Sequence, residues 1–137
     1  MRKVSKAITI ACIILVWIIK LFLRVDFSFP LPVEFFMGIA PNFFDGLLLP
    51  FAAIWLTPYF FIFRFVNRRI FTVFLNLRFI CMISFLLLMA IEFLQLFSFT
   101  HHTFDYWDIA ASATGVALAY YSIHAFQKSA FMNYDLQ

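Results

Sequence analysis

The segment from Glu92 to Tyr121, EFLQLFSFTHHTFDYWDIAASATGVALAYY, contains the end of one apolar run, a polar turn and the start of a second apolar run. It belongs to a chain of 137 residues that is 65% hydrophobic and only 12% charged. Soluble domains have about 25% charged residues, and about 20 apolar residues are needed for a helix to cross a bilayer. The sequence therefore predicts an integral membrane protein in which this segment is the turn between two spans.

Four apolar runs approach the length of a membrane span, at 7–23, 43–66, 79–99 and 107–126. Their apolar residues are continuous instead of alternating, which favours helices over the strands of a membrane barrel. The first run also resembles a signal peptide, but no small-x-small cleavage site follows it, so we interpret it as an uncleaved span. The predicted fold is all-α, a single membrane domain of four transmembrane helices with a polar tail at 127–137.

The basic residues predict the orientation of these helices. They precede the first span, surround the connection between the second and third spans, and follow the fourth span: Arg2, Lys3, Lys6, Arg64, Arg68, Arg69, Arg78 and Lys128. The positive-inside rule places all three regions, and therefore both termini, in the cytoplasm. The net charge of +3 is then explained by topology, and we expect no nucleic-acid binding.

Acidic residues stand near the predicted start of two helices. The segment 25–42, VDFSFPLPVEFFMGIAPN, contains three prolines and is expected to lie in the outer interface before the second span. Asp45 then falls in the first turn of the second helix, and Asp105 at the start of the fourth. Helix capping and the helix dipole are the structural explanation for both carboxylates, and a ligand site is the functional one.

Glu92 has no such explanation, because it lies about two turns inside the third span. An ionised carboxylate facing lipid there costs a few kcal/mol, so Glu92 is expected to face protein or a water-filled pocket. Gln95, three residues later, shares its face of the helix. On the fourth helix Asp105 and Asp108 have the same spacing, and Ser112 continues their stripe. Two polar stripes are therefore predicted to meet near the outer leaflet.

The polar turn between these stripes contains His101 and His102. A histidine pair beside carboxylates is compatible with a divalent metal site, with titration near neutral pH, or with an exposed loop. Adjacent histidines lack the i, i+4 spacing that puts both rings on one helical face. The indication of a metal is therefore weak, and no cofactor is assigned.

Small residues recur every four positions on the fourth helix, at Ala111, Gly115 and Ala119. Such a face lets another helix approach closely. We expect an internal contact with the third helix, which would bring Glu92 toward Asp108. A seam between two copies of the chain is the alternative.

The order of Glu92, Gln95, a polar turn, Asp108 and Gly115 resembles the VanZ-like family. That family's pattern is E-x-x-Q, a short turn that often contains arginine, and D-x-x-x-N-x-x-G. The segment 41–52, PNFFDGLLLPFA, is similar to the family's segment at the start of its second helix. This chain departs from the pattern with His102 in the place of arginine and Ser112 in the place of asparagine.

The resemblance implies a multi-pass protein of the bacterial cytoplasmic (inner) membrane with a role in the cell envelope. The family's namesake is associated with low-level resistance to the glycopeptide teicoplanin, and the resemblance identifies no reaction. The favoured hypothesis is a pocket in the outer leaflet that binds an envelope lipid, a lipid-linked cell-wall precursor or a glycopeptide. Its candidate ligand-binding residues are Asp45, Glu92, Gln95, His102, Asp105, Asp108 and Ser112.

Three alternatives stay open beside this binding hypothesis. The first is a membrane enzyme that uses Glu92 and Asp108 as acid and base on a lipid or a cell-wall precursor. The second is a small transporter, which is less favoured because the polar residues do not extend across the predicted midplane. The third is a purely structural role for Glu92.

Overall fold

A computed structural model describes residues 2–23, 30–60, 76–97 and 105–134. These residues form four long helices: α1 (Arg2–Ile18), which continues into a π-helical turn (Ile19–Leu23), α2 (Leu31–Phe60), α3 (Leu77–Phe97) and α4 (Tyr106–Tyr134). Each of the four is long and apolar enough to cross a membrane, and the described ranges contain no strand. The predicted all-α fold with four helices of spanning length is confirmed.

Helix α2 lies at the centre of the bundle and packs against the three other helices. Helix α4 makes its most extensive contact with α2, and α3 packs on both α2 and α4. Contacts between α2 and α4 advance together along both helices, from Phe35 with Trp107 to Phe51 with Ala119, so these helices run in the same direction. Helices α3 and α4 are neighbours joined by a short connection, and they run antiparallel.

Helix α2 begins at Leu31, whereas the sequence predicted a span starting at Phe43. The residues expected to form an interfacial segment before it belong, from Leu31 onward, to the helix itself. Pro32 is tolerated because it lies in the first turn, where backbone N–H groups have no partner within the helix. Pro41 is buried within the helix, where packing against neighbouring membrane helices accommodates a proline. Prolines were therefore poor markers of the start of this helix.

The earlier start of α2 changes the position of Asp45. At about 1.5 Å per residue, Asp45 lies about 20 Å along the helix from Leu31. It is also near the middle of the candidate span Leu31–Thr57. The prediction that Asp45 occupies the first turn of its helix, where it would act as a cap, was wrong.

The other helices differ from the predicted spans mainly at their ends. Helix α3 begins after Asn76, whose side-chain Oδ1 accepts a hydrogen bond of 3.2 Å from the backbone N–H of Arg78, as an N-cap does. Helix α4 continues to Tyr134, into the segment predicted to be a solvated tail. Polar residues after a span do not end a helix, because its backbone hydrogen bonds are satisfied in water as they are in lipid. The predicted residues 61–66 and 98–99 lie outside the described ranges.

Candidate functional site

Helices α2 and α4 meet backbone to backbone at two glycines. A Cβ atom on Gly115 would overlap the carbonyl oxygen of Phe43 and would lie 3.0 Å from the backbone nitrogen of Leu47. A Cβ atom on Gly46 would overlap the carbonyl oxygen of Ser112. Both positions therefore require glycine, as close crossings of membrane helices often do.

The small-residue face of α4 is thus a site of close packing, but its partner is not the predicted one. Ala119 has 0% of its surface exposed and packs in one cluster with Phe51 of α2 and Ile123 of α4. The face expected to contact the third helix, or a second copy of the chain, is covered by α2 within the chain. The spacing of small residues on α4 predicted a closely packed face, but it did not identify the helix that packs against it.

Ser112 joins α2 and α4 through a polar contact. Its Oγ donates a hydrogen bond of 3.3 Å to the backbone carbonyl oxygen of Asn42, and only 2% of the residue is exposed. Asn42 and Gly46 were not among the predicted site residues. The signal that could have identified Gly46 is a glycine within an apolar helical run, where helix propensity disfavours it unless close packing requires it.

Glu92 is held within the bundle on α3. Cys81, Leu88 and Val116 form one buried cluster between α3 and α4, so Val116 lies at the level of the α3 turn between Cys81 and Leu88. Two turns toward the α3–α4 connection from this level, the antiparallel register brings Glu92 to about the level of Asp108. Asp108 itself shares the face of α4 that carries Ser112 and Gly115 and packs on α2. Glu92 is only 5% exposed, and it makes at least one hydrogen bond, ion pair or other electrostatic interaction. The two carboxyl-bearing residues therefore share one level of the bundle.

Asp105 and Asp108 lie at the start of α4. The side-chain Oδ1 of Asp105 accepts a hydrogen bond of 3.0 Å from the backbone N–H of Trp107, so Asp105 is the N-cap of the helix, as the structural explanation predicted. Asp108 lies in the first turn and is half-buried. We call the end of the bundle that carries Glu92, Asp105, Asp108 and Ser112 the polar end.

Asp45 lies apart from the polar end. The α2–α4 register puts Asn42 level with Ser112 and Asp45 about one turn deeper, near Gly115. The half-buried carboxylate of Asp45 interacts electrostatically with Lys20, on the π-helical turn that follows α1. The predicted set of site residues is therefore divided between two places in the bundle.

Gln95 and His102 are the remaining predicted site residues. Gln95 lies on α3, three residues beyond Glu92 toward the α3–α4 connection. His101 and His102 lie outside the described residues. Within the part of the chain that the structure describes, no group of three or more histidine, cysteine, aspartate or glutamate side chains is arranged to hold a metal ion.

An apolar groove lies between α3 and α4, deeper in the bundle than the polar end. Its volume is about 340 Å³. The side chains that line it are Cys81, Met82 and Phe85 of α3 and Ala113, Val116, Ala117, Tyr120 and Tyr121 of α4. The same helix that packs backbone to backbone on α2 thus leaves space on the side of α3.

Comparisons of the chain with protein-family models, with curated proteins and with solved structures found no match. The resemblance to the VanZ-like family therefore stays a prediction from the motifs.

Proposed function

We propose that the polar end binds the polar part of an envelope lipid or of a cell-wall-related ligand in the outer leaflet of a bacterial cytoplasmic membrane. In this proposal both termini are cytoplasmic, as the distribution of basic residues predicts. The connection between α3 and α4, and with it the polar end, then faces the outside of the cell. The motif resemblance to the VanZ-like family agrees with an envelope role.

The observation that carries this proposal is the burial of Glu92 on α3, at the end of the bundle where α4 begins with Asp105 and Asp108. A carboxylate within a membrane bundle is costly, and such residues usually line ligand or ion sites. The α2–α4 contact accounts for Ser112, and helix capping accounts for Asp105. Glu92 lies on α3, so it is neither a helix cap nor part of that contact, and it makes at least one interaction of its own. Asp108 is half-buried in the first turn of α4.

Ligand-induced stabilisation of the purified protein tests this proposal. The probes are phosphatidylethanolamine, a lipid-linked peptidoglycan precursor and teicoplanin, each added to protein in detergent micelles. We expect at least one probe to raise the unfolding temperature of the wild-type protein, because a ligand that binds only the folded state stabilises it. The shift should be lost in Glu92→Gln and in Asp108→Asn.

Asp45→Asn is the matched control, because it removes an intramembrane carboxylate that lies one turn deeper and interacts with Lys20. This variant should keep the ligand-induced shift of the wild-type protein. Equal shifts in the wild type, Glu92→Gln and Asp108→Asn would contradict a binding role for the polar end.

An acid–base enzyme is the second candidate, and the shared level of Glu92 and Asp108 favours it. Acid–base catalysis uses two positioned groups, one that gives a proton and one that accepts it, and carboxyl groups often serve in both roles. The two candidates differ in what Glu92→Gln does after binding. An enzyme with this substitution still binds the lipid-linked precursor but no longer converts it, which mass spectrometry of the recovered precursor would detect.

A further inference from the structure

The beginning of α3 lies beside the second half of α4. Leu77, in the first turn of α3, packs against the buried cluster that contains Phe51 of α2 and Ile123 of α4. Arg78 follows Leu77 in the chain, and His124 follows Ile123. Arg78 and His124 therefore lie at about the same level, at the end of the bundle opposite the polar end.

Arg78, His124 and Lys128 also face the same side of the bundle. Arg78 precedes Phe85 by seven residues, which is about two turns, so the two share a face of α3. Tyr121, His124 and Lys128 are spaced by three and four residues, so they share a face of α4. Phe85 and Tyr121 line the same groove between α3 and α4. The three basic residues, all exposed, therefore extend from the side of the bundle where this groove lies.

The imidazole ring of His124 has a fixed place in this group. It stacks on the ring of Tyr120, with 6.1 Å between the centroids and 27° between the planes. Tyr120 in turn packs against the buried cluster of Cys81, Leu88 and Val116. Stacking uses the faces of the imidazole, so its nitrogen atoms, at the ring edge, can still donate a hydrogen bond. His124 can therefore add a directional donor to the two cationic side chains.

The group lies at the level where lipid headgroups begin. The apolar span of α3 starts at Leu77, and that of α4 ends at Lys128. The phosphate groups of phospholipids lie in the polar region just outside the hydrocarbon core. Arg78 and Lys128 can therefore reach a lipid phosphate while their apolar stems stay beside the hydrocarbon.

The positive charge of this group is not offset at its end of the bundle by the described part of the chain. The acidic residues there described are Glu34 in the first turn of α2, Asp45 near the middle of that helix, and the carboxylates of the polar end. Arg78 lies in the first turn of α3, where the helix dipole disfavours a cation and no acidic residue accompanies it. The positive-inside rule places cations on one side of the membrane, but it does not require them on one face of the bundle. An anionic ligand is therefore the partner that complements this face.

From these observations we infer that Arg78, His124 and Lys128 bind the phosphate of an anionic phospholipid. Arginine and lysine form charge-assisted hydrogen bonds with phosphate oxygens. Basic pockets between membrane helices on the cytoplasmic side bind anionic headgroups in this way. This phosphate site lies at the other end of the bundle from the polar end, so it goes beyond the proposed function and does not depend on it.

Native mass spectrometry of the full chain released from detergent micelles tests the phosphate site. The probes are dioleoyl phosphatidylglycerol, which is anionic, and dioleoyl phosphatidylcholine, which has the same chains and no net charge. Arg78→Gln and Lys128→Gln each remove one charge from the site. Lys3→Gln is the matched control, because Lys3 is exposed near the start of α1, at the same end of the bundle. Helix α1 packs on α2, whereas the phosphate site belongs to α3 and α4.

We expect the wild-type protein to retain phosphatidylglycerol in preference to phosphatidylcholine. Arg78→Gln and Lys128→Gln should each weaken the retention of phosphatidylglycerol about fivefold, the effect expected of one cation near an anionic headgroup. Lys3→Gln should leave this retention unchanged. Lys128→Arg should also retain the lipid, because it keeps the charge.

Three results would contradict the phosphate site. The first is equal retention of the two lipids by the wild-type protein. The second is a loss in Lys3→Gln as large as that in Arg78→Gln, which would mean that only the total charge of the chain attracts the lipid. The third is a loss in Lys128→Arg as large as that in Lys128→Gln, which would mean that the charge is not what binds. Ligand binding at the polar end is tested separately, by Glu92→Gln and Asp108→Asn.

Discussion

The two faces of α4 pack in opposite ways. Toward α2, Gly115 and Ala119 let the helices approach until backbone touches backbone, and Ser112 adds a hydrogen bond to Asn42. Toward α3, the contact is made by side chains around Val116, and beside it lies a groove of about 340 Å³. The difference shows how one helix can pack closely on one neighbour and leave an open groove beside another.

The largest effect is expected from Gly115→Ala, which adds a methyl group to the face of α4 that packs on α2. The added Cβ would overlap the carbonyl oxygen of Phe43, which belongs to the backbone and cannot rotate away. We expect the free energy of unfolding to fall by about 3 kcal/mol, at the upper end of the usual cost of overpacking. Unfolding in mixed micelles with increasing SDS would measure it.

Gly38→Ala is the matched control, because a Cβ atom there has no heavy atom within 4 Å. This variant should lose no stability, and it should gain up to about 1 kcal/mol because alanine favours helix over glycine. A loss in Gly38→Ala as large as that in Gly115→Ala would mean that flexibility, and not close packing, is what glycine contributes to these helices.

A smaller effect is expected from removing a ring at each face. Phe51 is 2% exposed between α2 and α4, whereas Phe85 is half-buried at the groove. We expect Phe51→Ala to destabilise the protein by about 2 kcal/mol more than Phe85→Ala does, because lipid can enter a space that is already open to it at Phe85. The same unfolding titration compares the pair. A larger loss of stability for Phe85→Ala would mean that α4 packs more closely on α3 than on α2, which would contradict this comparison.

The smallest effect concerns the hydrogen bond from Ser112 to Asn42. Hydrogen bonds between membrane helices contribute about 0.6 kcal/mol on average, and we expect a loss of that size in Ser112→Ala. Ser84→Ala is the control, since the Oγ of Ser84 donates to the carbonyl oxygen of Ile80 in its own helix. A loss confined to Ser112→Ala would show that the bond between helices matters, and equal losses would show that it does not.

The sequence was sufficient to predict those features of the fold that depend on one helix at a time. Four continuous apolar runs indicated the four helices, because span length and composition are properties of each segment alone. The start of α2 was missed because Pro32 and Pro41 were interpreted as interrupting the helix. In a membrane bundle neighbouring helices tolerate such prolines, and that effect is invisible within the segment itself.

The site was predicted less completely, because it depends on which helices are neighbours. Glu92 and Asp108 were expected to converge through the small-residue face of α4, but that face packs on α2. Asp45 was grouped with them because the predicted helix began too late, whereas its electrostatic partner is Lys20. Depth along a helix depends on where the helix starts, and an error there moves every polar residue that follows.

The central claim is that the polar end opens to the water outside the cell. Single cysteines at Asp108→Cys, Glu92→Cys and Lys128→Cys, each in a background without Cys12 and Cys81, can be labelled in intact cells with a membrane-impermeant thiol reagent. We predict that Asp108→Cys is labelled in intact cells, that Glu92→Cys reacts more slowly because residue 92 is 5% exposed, and that Lys128→Cys reacts only after permeabilisation. Labelling of Lys128→Cys in intact cells, with Asp108→Cys protected in folded protein, would contradict the account.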